Sequence, residues 1–85
     1  MPKNRDYLEI TIHSKKETFF KGHAYTVTST NDVGEFDVLP HHANFITLIK
    51  NYVIVDKNRQ SEKKYELEKG VLAIKSDKVD VYLEL

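Results

Sequence analysis

Apolar residues recur at every second position through most of this chain, and that period limits what it can fold into. In residues 7–13 (YLEITIH), Leu8, Ile10 and Ile12 point one way while Glu9, Thr11 and His13 point the other. At the far end, KVDVYLEL sets Val79, Val81, Leu83 and Leu85 on one face, opposite Asp80 and Glu84. HAYTVTST, NFITLI and NYVIV are rich in β-branched and aromatic residues, as strands require. KKYELE alternates too, with Tyr65 and Leu67 inward. A helix there would have barely two turns before Gly70, so a strand is expected.

Turn signals separate these runs: Lys21–Gly22, TND at Thr30 to Asp32, DKNRQS at Asp56 to Ser61, and KSDK at Lys75 to Lys78. Turns about eight to twelve residues apart predict an all-β sandwich or barrel. No helical period, internal repeat or linker interrupts the pattern, and the 85 residues are expected to form one domain, 1–85.

Composition narrows the function classes. Thirteen Lys and Arg balance thirteen Asp and Glu, so no net field draws the chain to nucleic acid or anionic lipid. The densest charge run, SEKKYELEK, mixes both signs and reads as a solvated face. Without cysteine there are no disulfides or thiolate metal ligands, which suits a reducing compartment. No apolar run approaches the roughly 18 residues of a membrane helix, so direct membrane insertion is not expected. MPKNRDYLEI lacks the apolar core of a signal peptide.

The chemistry of catalysis is thinly represented. His41 and His42 are adjacent, so on an extended chain they point to opposite faces and do not share a metal ion. TVTSTND supplies hydroxyls but no glycine elbow for a nucleophile, and three glycines in all leave no phosphate loop. Glu35 and Asp37 lie two apart on one strand face, a spacing more typical of a solvated edge than of an acid–base pair. The residues thus predict a non-enzymatic β domain that offers a binding surface and uses no metal or cofactor.

GEFDVLPHHANFITLI carries more information than its periodicity. It resembles the signature of the ε subunit of F-type ATP synthases, the δ subunit of mitochondria. In that family a Gly-Glu pair leads to Pro-Gly-His-Ala and then to an apolar strand containing Thr. Gly34, Glu35, Phe36, Val38, Leu39, Pro40, His42, Ala43, Thr47 and Leu48 match. Upstream, Phe20, Gly22, Ala24 and Val27 are similar to the family's Phe-x-Gly-x-Ala-x-x-Val; downstream, EKGVLAIKSDKVDVYLEL is similar to its last strands. Three departures stand out. His41 replaces the glycine of Pro-Gly-His and carries the strain if the turn keeps φ > 0. Asn44 stands where a proline is usual, and a Pro-Gly between the next two strands is replaced around Asn51–Tyr52.

The resemblance implies a β-sandwich of about ten short, mostly antiparallel strands in two sheets, without the family's C-terminal helical hairpin. It implies a non-catalytic central-stalk subunit that joins the γ subunit to the c-ring and helps couple proton flow to ATP synthesis. Glu35, Pro40 and His42 match positions of the loop that faces the c-ring, with Glu35 offering a charge-assisted bond and Pro40 fixing the loop's direction. Phe19, Phe45 and Tyr52 are candidates for the γ-facing surface. The implied location is peripheral, on the cytoplasmic face of a bacterial plasma membrane. From the residues alone, a free-standing β-sandwich module for a protein, peptide or sugar partner remains the other reading.

Overall fold

The computed structural model describes residues 7–84, so the expected inward placement of Leu85 lies outside the described residues. Seven strands follow one another: β1 (Leu8–His13), β2 (Thr18–Ala24), β3 (Val27–Asn31), β4 (Gly34–Val38), β5 (Phe45–Val55), β6 (Lys63–Lys75) and β7 (Lys78–Glu84). They hydrogen-bond in the order β2-β1-β7-β6-β5-β3-β4. Every neighbouring pair is antiparallel except β1 and β7, which run parallel.

This continuous sheet folds over on itself. Leu8, Ile10 and Ile12, near one end of the strand order, share a buried cluster with Val27 and Val38 from the other end. The fold-over occurs where β5 and β6 lose register. Ile49 pairs with Gly70 but Asn51 pairs with Leu67, so Glu68 and Lys69 together oppose Lys50. Asn51 adopts φ 73°, tightening the bend. Gly70 is required there, since a Cβ would collide with the Tyr82 carbonyl oxygen. Each long strand therefore serves two layers. The first is β2-β1-β7 with the C-terminal half of β6 and the N-terminal half of β5; the second is the remaining halves with β3 and β4. Seven strands stand where about ten short ones were expected, in part because bulges bend β5 and β6 without breaking their ladders.

Alternation puts Thr47, Leu72, Val81, Ile12 and Phe20 in one inward row of the first layer, and Val55, Val27 and Val38 in one of the second. Each fully buried Val, Leu or Ile contributes about 1.5–3 kcal/mol, so these rows dominate stability. Aromatic pairs close the two open seams between the layers. Phe19 meets Tyr65 at one, with ring centroids 6.4 Å apart, and Phe36 meets Phe45 at the other, 5.9 Å apart.

One turn expectation is corrected. Lys21 and Gly22 do not turn but continue β2, with Gly22 opposite Ile10 in an inward row. The break falls at Tyr25–Thr26, inside the run HAYTVTST, because the buried carboxylate of Asp56 accepts both their N–H groups at 2.6 and 3.2 Å. A partner 30 residues away thus splits what reads locally as one strand. By contrast, KKYELE is strand, and Ser76 and Asp77, both with positive φ, form the two-residue hairpin turn of KSDK.

Candidate functional site

The outer faces of the two layers differ, and the signature stretch contributes to both. In the first layer, two outward rows cross the strands: Ile46, Ala73, Asp80, Thr11 and Lys21, then Leu48, Val71, Tyr82, His13 and Thr18. The β5–β6 end of these rows is apolar, and Ile46 and Leu48 are 69% and 73% exposed. The other end is polar, with His13 Nε2 lying 3.1 Å from Asp80 Oδ1. Ile46 and Leu48 stand two residues apart on the same outward face, so their exposed side chains are neighbours.

In the second layer the outward residues satisfy one another. Glu35, in β4, accepts the Tyr52 hydroxyl at 2.7 Å on Oε1 and the Lys57 ammonium at 2.7 Å on Oε2. Tyr52 reaches across β3 because β5 carries two extra residues between its pairings with Ser29 and Thr30. The Lys57 and Tyr52 bonds hold the Glu35 carboxyl below its ordinary value, and the same carboxylate raises both Lys57 and Tyr52. Beside this trio, the Thr28 hydroxyl donates to Asp37 at 2.6 Å and Lys50 pairs with Asp32 at 3.2 Å.

The loop after β4 is a turn of defined type. His42 N–H donates to the Leu39 carbonyl at 3.2 Å, Pro40 occupies the second position, and His41 takes φ 70° at the third. Those are the marks of a type II turn, whose third position favours glycine. The expected strain at His41 is therefore present, and it is compensated. Asp77 accepts the His41 N–H at 2.7 Å, and Asn44 accepts the Ser76 N–H at 2.9 Å, docking the loop onto the β6–β7 turn. His42 Nδ1 lies 2.7 Å from the Ala43 carbonyl, which fixes a proton on that nitrogen and leaves Nε2 as the acceptor of the neutral ring.

The structure brings Glu35 together with Tyr52, two residues that the resemblance assigns to different partners. Glu35 and His42 have separate partners: one is tied to β5 and the 56–62 loop, the other to its own turn, with its ring 5.5 Å from Phe45. Phe19 and Phe45 are half-buried at the two seams, packed against the core. Ile46 and Leu48 escaped notice in the sequence, although FITLI offered the signal. It is apolar in both phases, as a strand covered on both faces would be.

Comparison with known proteins agrees with this architecture. The family model described as ATP synthase, Delta/Epsilon chain, beta-sandwich domain matches residues 7–84. The ATP synthase epsilon chain of Sulfurimonas denitrificans is 32% identical over 78 residues, which cover 91% of this chain and 60% of that protein. A chain in the cryo-EM structure of the Euglena gracilis mitochondrial ATP synthase OSCP/F1/c-ring superposes with a TM-score of 0.84 at 16% identity, over 96% of this chain and 53% of that one. Another, in the Tetrahymena thermophila mitochondrial ATP synthase central stalk/c-ring, gives 0.74 at 6% identity, over 98% and 67%. These two likenesses establish the fold. The chain spans about 60% of the curated relative's length. By its family match over residues 7–84, with which the bent two-layer sheet agrees, this chain belongs to the ATP synthase delta/epsilon β-sandwich family.

Proposed function

We propose that this chain is a non-catalytic rotor component of the central stalk of a proton-translocating ATP synthase, where it joins γ to the c-ring and helps couple proton flow to ATP synthesis. The apolar outer face around Ile46 and Leu48 is the observation that carries the reading, because among the described residues these two large aliphatic side chains stand exposed on one strand face, whereas Val33 and Leu39 are exposed singly. In this reading γ covers it, Phe45 lies at its margin, and its burial supplies the affinity. The β4 strand and its following turn then face the c-ring. Glu35 and His42 offer acceptors to the ring's polar loops, and Pro40 fixes the turn between them. A torque-bearing joint must resist slip, which favours a closed sandwich with docked loops over a hinged element. The complex is membrane-bound, so the chain sits peripherally, on the cytoplasmic face in a bacterium.

Two measurements test this reading. Co-expressed with γ from the same source, the chain is expected to co-purify with it in stoichiometric amount, and Ile46→Glu with Leu48→Glu is expected to abolish the association. In vesicles carrying the whole synthase, Glu35→Ala with His42→Ala is expected to lower ATP-driven proton pumping more than ATP hydrolysis. Equal loss of both activities, or no change in either, would refute the ring contact.

A further inference from the structure

Glu35 does not stand as a free carboxylate. Both of its oxygens are engaged within the chain, one by a phenol on the β5 bulge and one by an ammonium on the 56–62 loop. Its side chain is 43% exposed and that of Lys57 37%, so the group lies at the surface without being loose. An ionised carboxylate offers about four lone-pair sites, and two bonds leave about two for a partner.

We propose that Tyr52 and Lys57 are positioning residues that fix the Glu35 carboxylate for its contact with the c-ring, so that the three side chains act as one recognition element. This rests on the ring-contact reading above and adds residues to it. Three observations carry it. The two bonds come from separate elements and approach different oxygens, which fixes both the position and the rotation of the carboxylate. Tyr52 is delivered by an irregularity: β3 advances one residue from Ser29 to Thr30 while β5 recedes three, from Val53 to Lys50. The Ser29 hydroxyl holds that irregularity by donating to the Tyr52 carbonyl at 2.7 Å. Lys57, finally, follows Asp56, whose buried carboxylate anchors the loop to the β2–β3 turn.

A preset carboxylate loses less side-chain freedom when it meets its partner, and Lys57 already offsets its charge. The element therefore fits a polar ring loop that donates a hydrogen bond and does not demand one of high net positive charge. The other charged groups around it are Asp37, two residues along β4, the Lys50–Asp32 pair across β3, and Lys64, whose ammonium lies 5.3 Å from the Tyr52 ring. Asp37 also favours the charged form of Lys57.

The test uses the assembled synthase in vesicles and reads the ratio of ATP-driven pumping to hydrolysis as a function of pH. Tyr52→Phe and Lys57→Met are each expected to lower the ratio about two- to fivefold, the range of an exposed ion pair or hydrogen bond, while Lys57→Arg restores it. In Lys57→Met the acid limb of the profile is expected to move to higher pH, which a purely structural defect would not do. Neither change should have a further effect in a Glu35→Ala background. If Glu35→Ala lowers the ratio but Tyr52→Phe and Lys57→Met leave both ratio and profile unchanged, the positioning role is overturned and the ring contact stands. Should Glu35→Ala itself have no effect, the ring contact fails and the positioning role falls with it.

Discussion

Two strands, β5 and β6, run through both layers of this sandwich, and the outer faces they share end in opposite states. Before the bend, the outward residues of β5 are the exposed Ile46 and Leu48; after it they are Ile54 and the half-buried Tyr52. The first pair is exposed among the described residues, whereas Tyr52 is tied to Glu35 and crossed by the Lys64 ammonium, 5.3 Å from its ring. Ile54 is nearly buried. The phase of the strand is the same on both sides of the bend. What changes is the neighbourhood: beyond the bend β3 flanks β5 and side chains of the same layer close over its outward residues, whereas Ile46 and Leu48 stay exposed among the described residues. One face is closed by its own side chains and the other keeps two large aliphatic side chains exposed.

The sharpest way to break the comparison is to remove the bend. Gly70→Ala places a methyl group against the Tyr82 carbonyl, and unfolding in urea is expected to show a loss of about 3 kcal/mol or more. The next largest effect is on the self-completed layer. Asp56→Ala leaves the N–H groups of Tyr25 and Thr26 and the Ser61 hydroxyl without their acceptor, for an expected cost of about 2 kcal/mol. On the uncovered face, Ile46→Glu with Leu48→Glu should leave stability within about 0.5 kcal/mol, since neither side chain is buried. The same pair should weaken capture of γ at least about tenfold in a pull-down, as expected for a contact surface's anchors. A loss of stability as large as the loss of binding would mean that the face is not free.

Smaller effects sharpen the picture. His41→Gly keeps the N–H bond to Asp77 and removes the left-handed strain, so thermal melts should show a gain of about 0.5–1 kcal/mol. The smallest shift is the pH dependence of the Glu35 network. Glu35 titrates lower in the folded chain, so its contribution is present above the ordinary carboxylate range and is lost as pH falls through the lowered folded value. Lys57 titrates higher, so its part is complete below the ordinary lysine value and is lost as pH rises through the raised one. The difference in melting temperature between wild type and Glu35→Gln should therefore vanish at both extremes.

Much of the fold was legible because a strand's period is local. Leu8, Ile10 and Ile12, and likewise Val79, Val81 and Leu83, lie inward as their alternation requires. The KSDK hairpin and the left-handed His41 also follow from short-range rules. Lys21–Gly22 misled because glycine in a strand reads as a turn, while the real turn at Tyr25–Thr26 is made by Asp56. The layering was less legible: NFITLI and NYVIV read as two strands, yet Asn51 bends one continuous ladder.

By itself the sequence determined that the chain is all strand and turn, which side chains share a face within most strands, and, through GEFDVLPHHANF, the family. Only the tertiary structure decided that Tyr52 and Lys57, 17 and 22 residues from Glu35, converge on its carboxylate. It also decided that Ile46 and Leu48 stay uncovered while Thr28, equally outward, is buried beneath its neighbours. The reason is physical. Alternation tells each side chain which way to point, but what lies beyond it depends on register, bulges and the order in which strands pair.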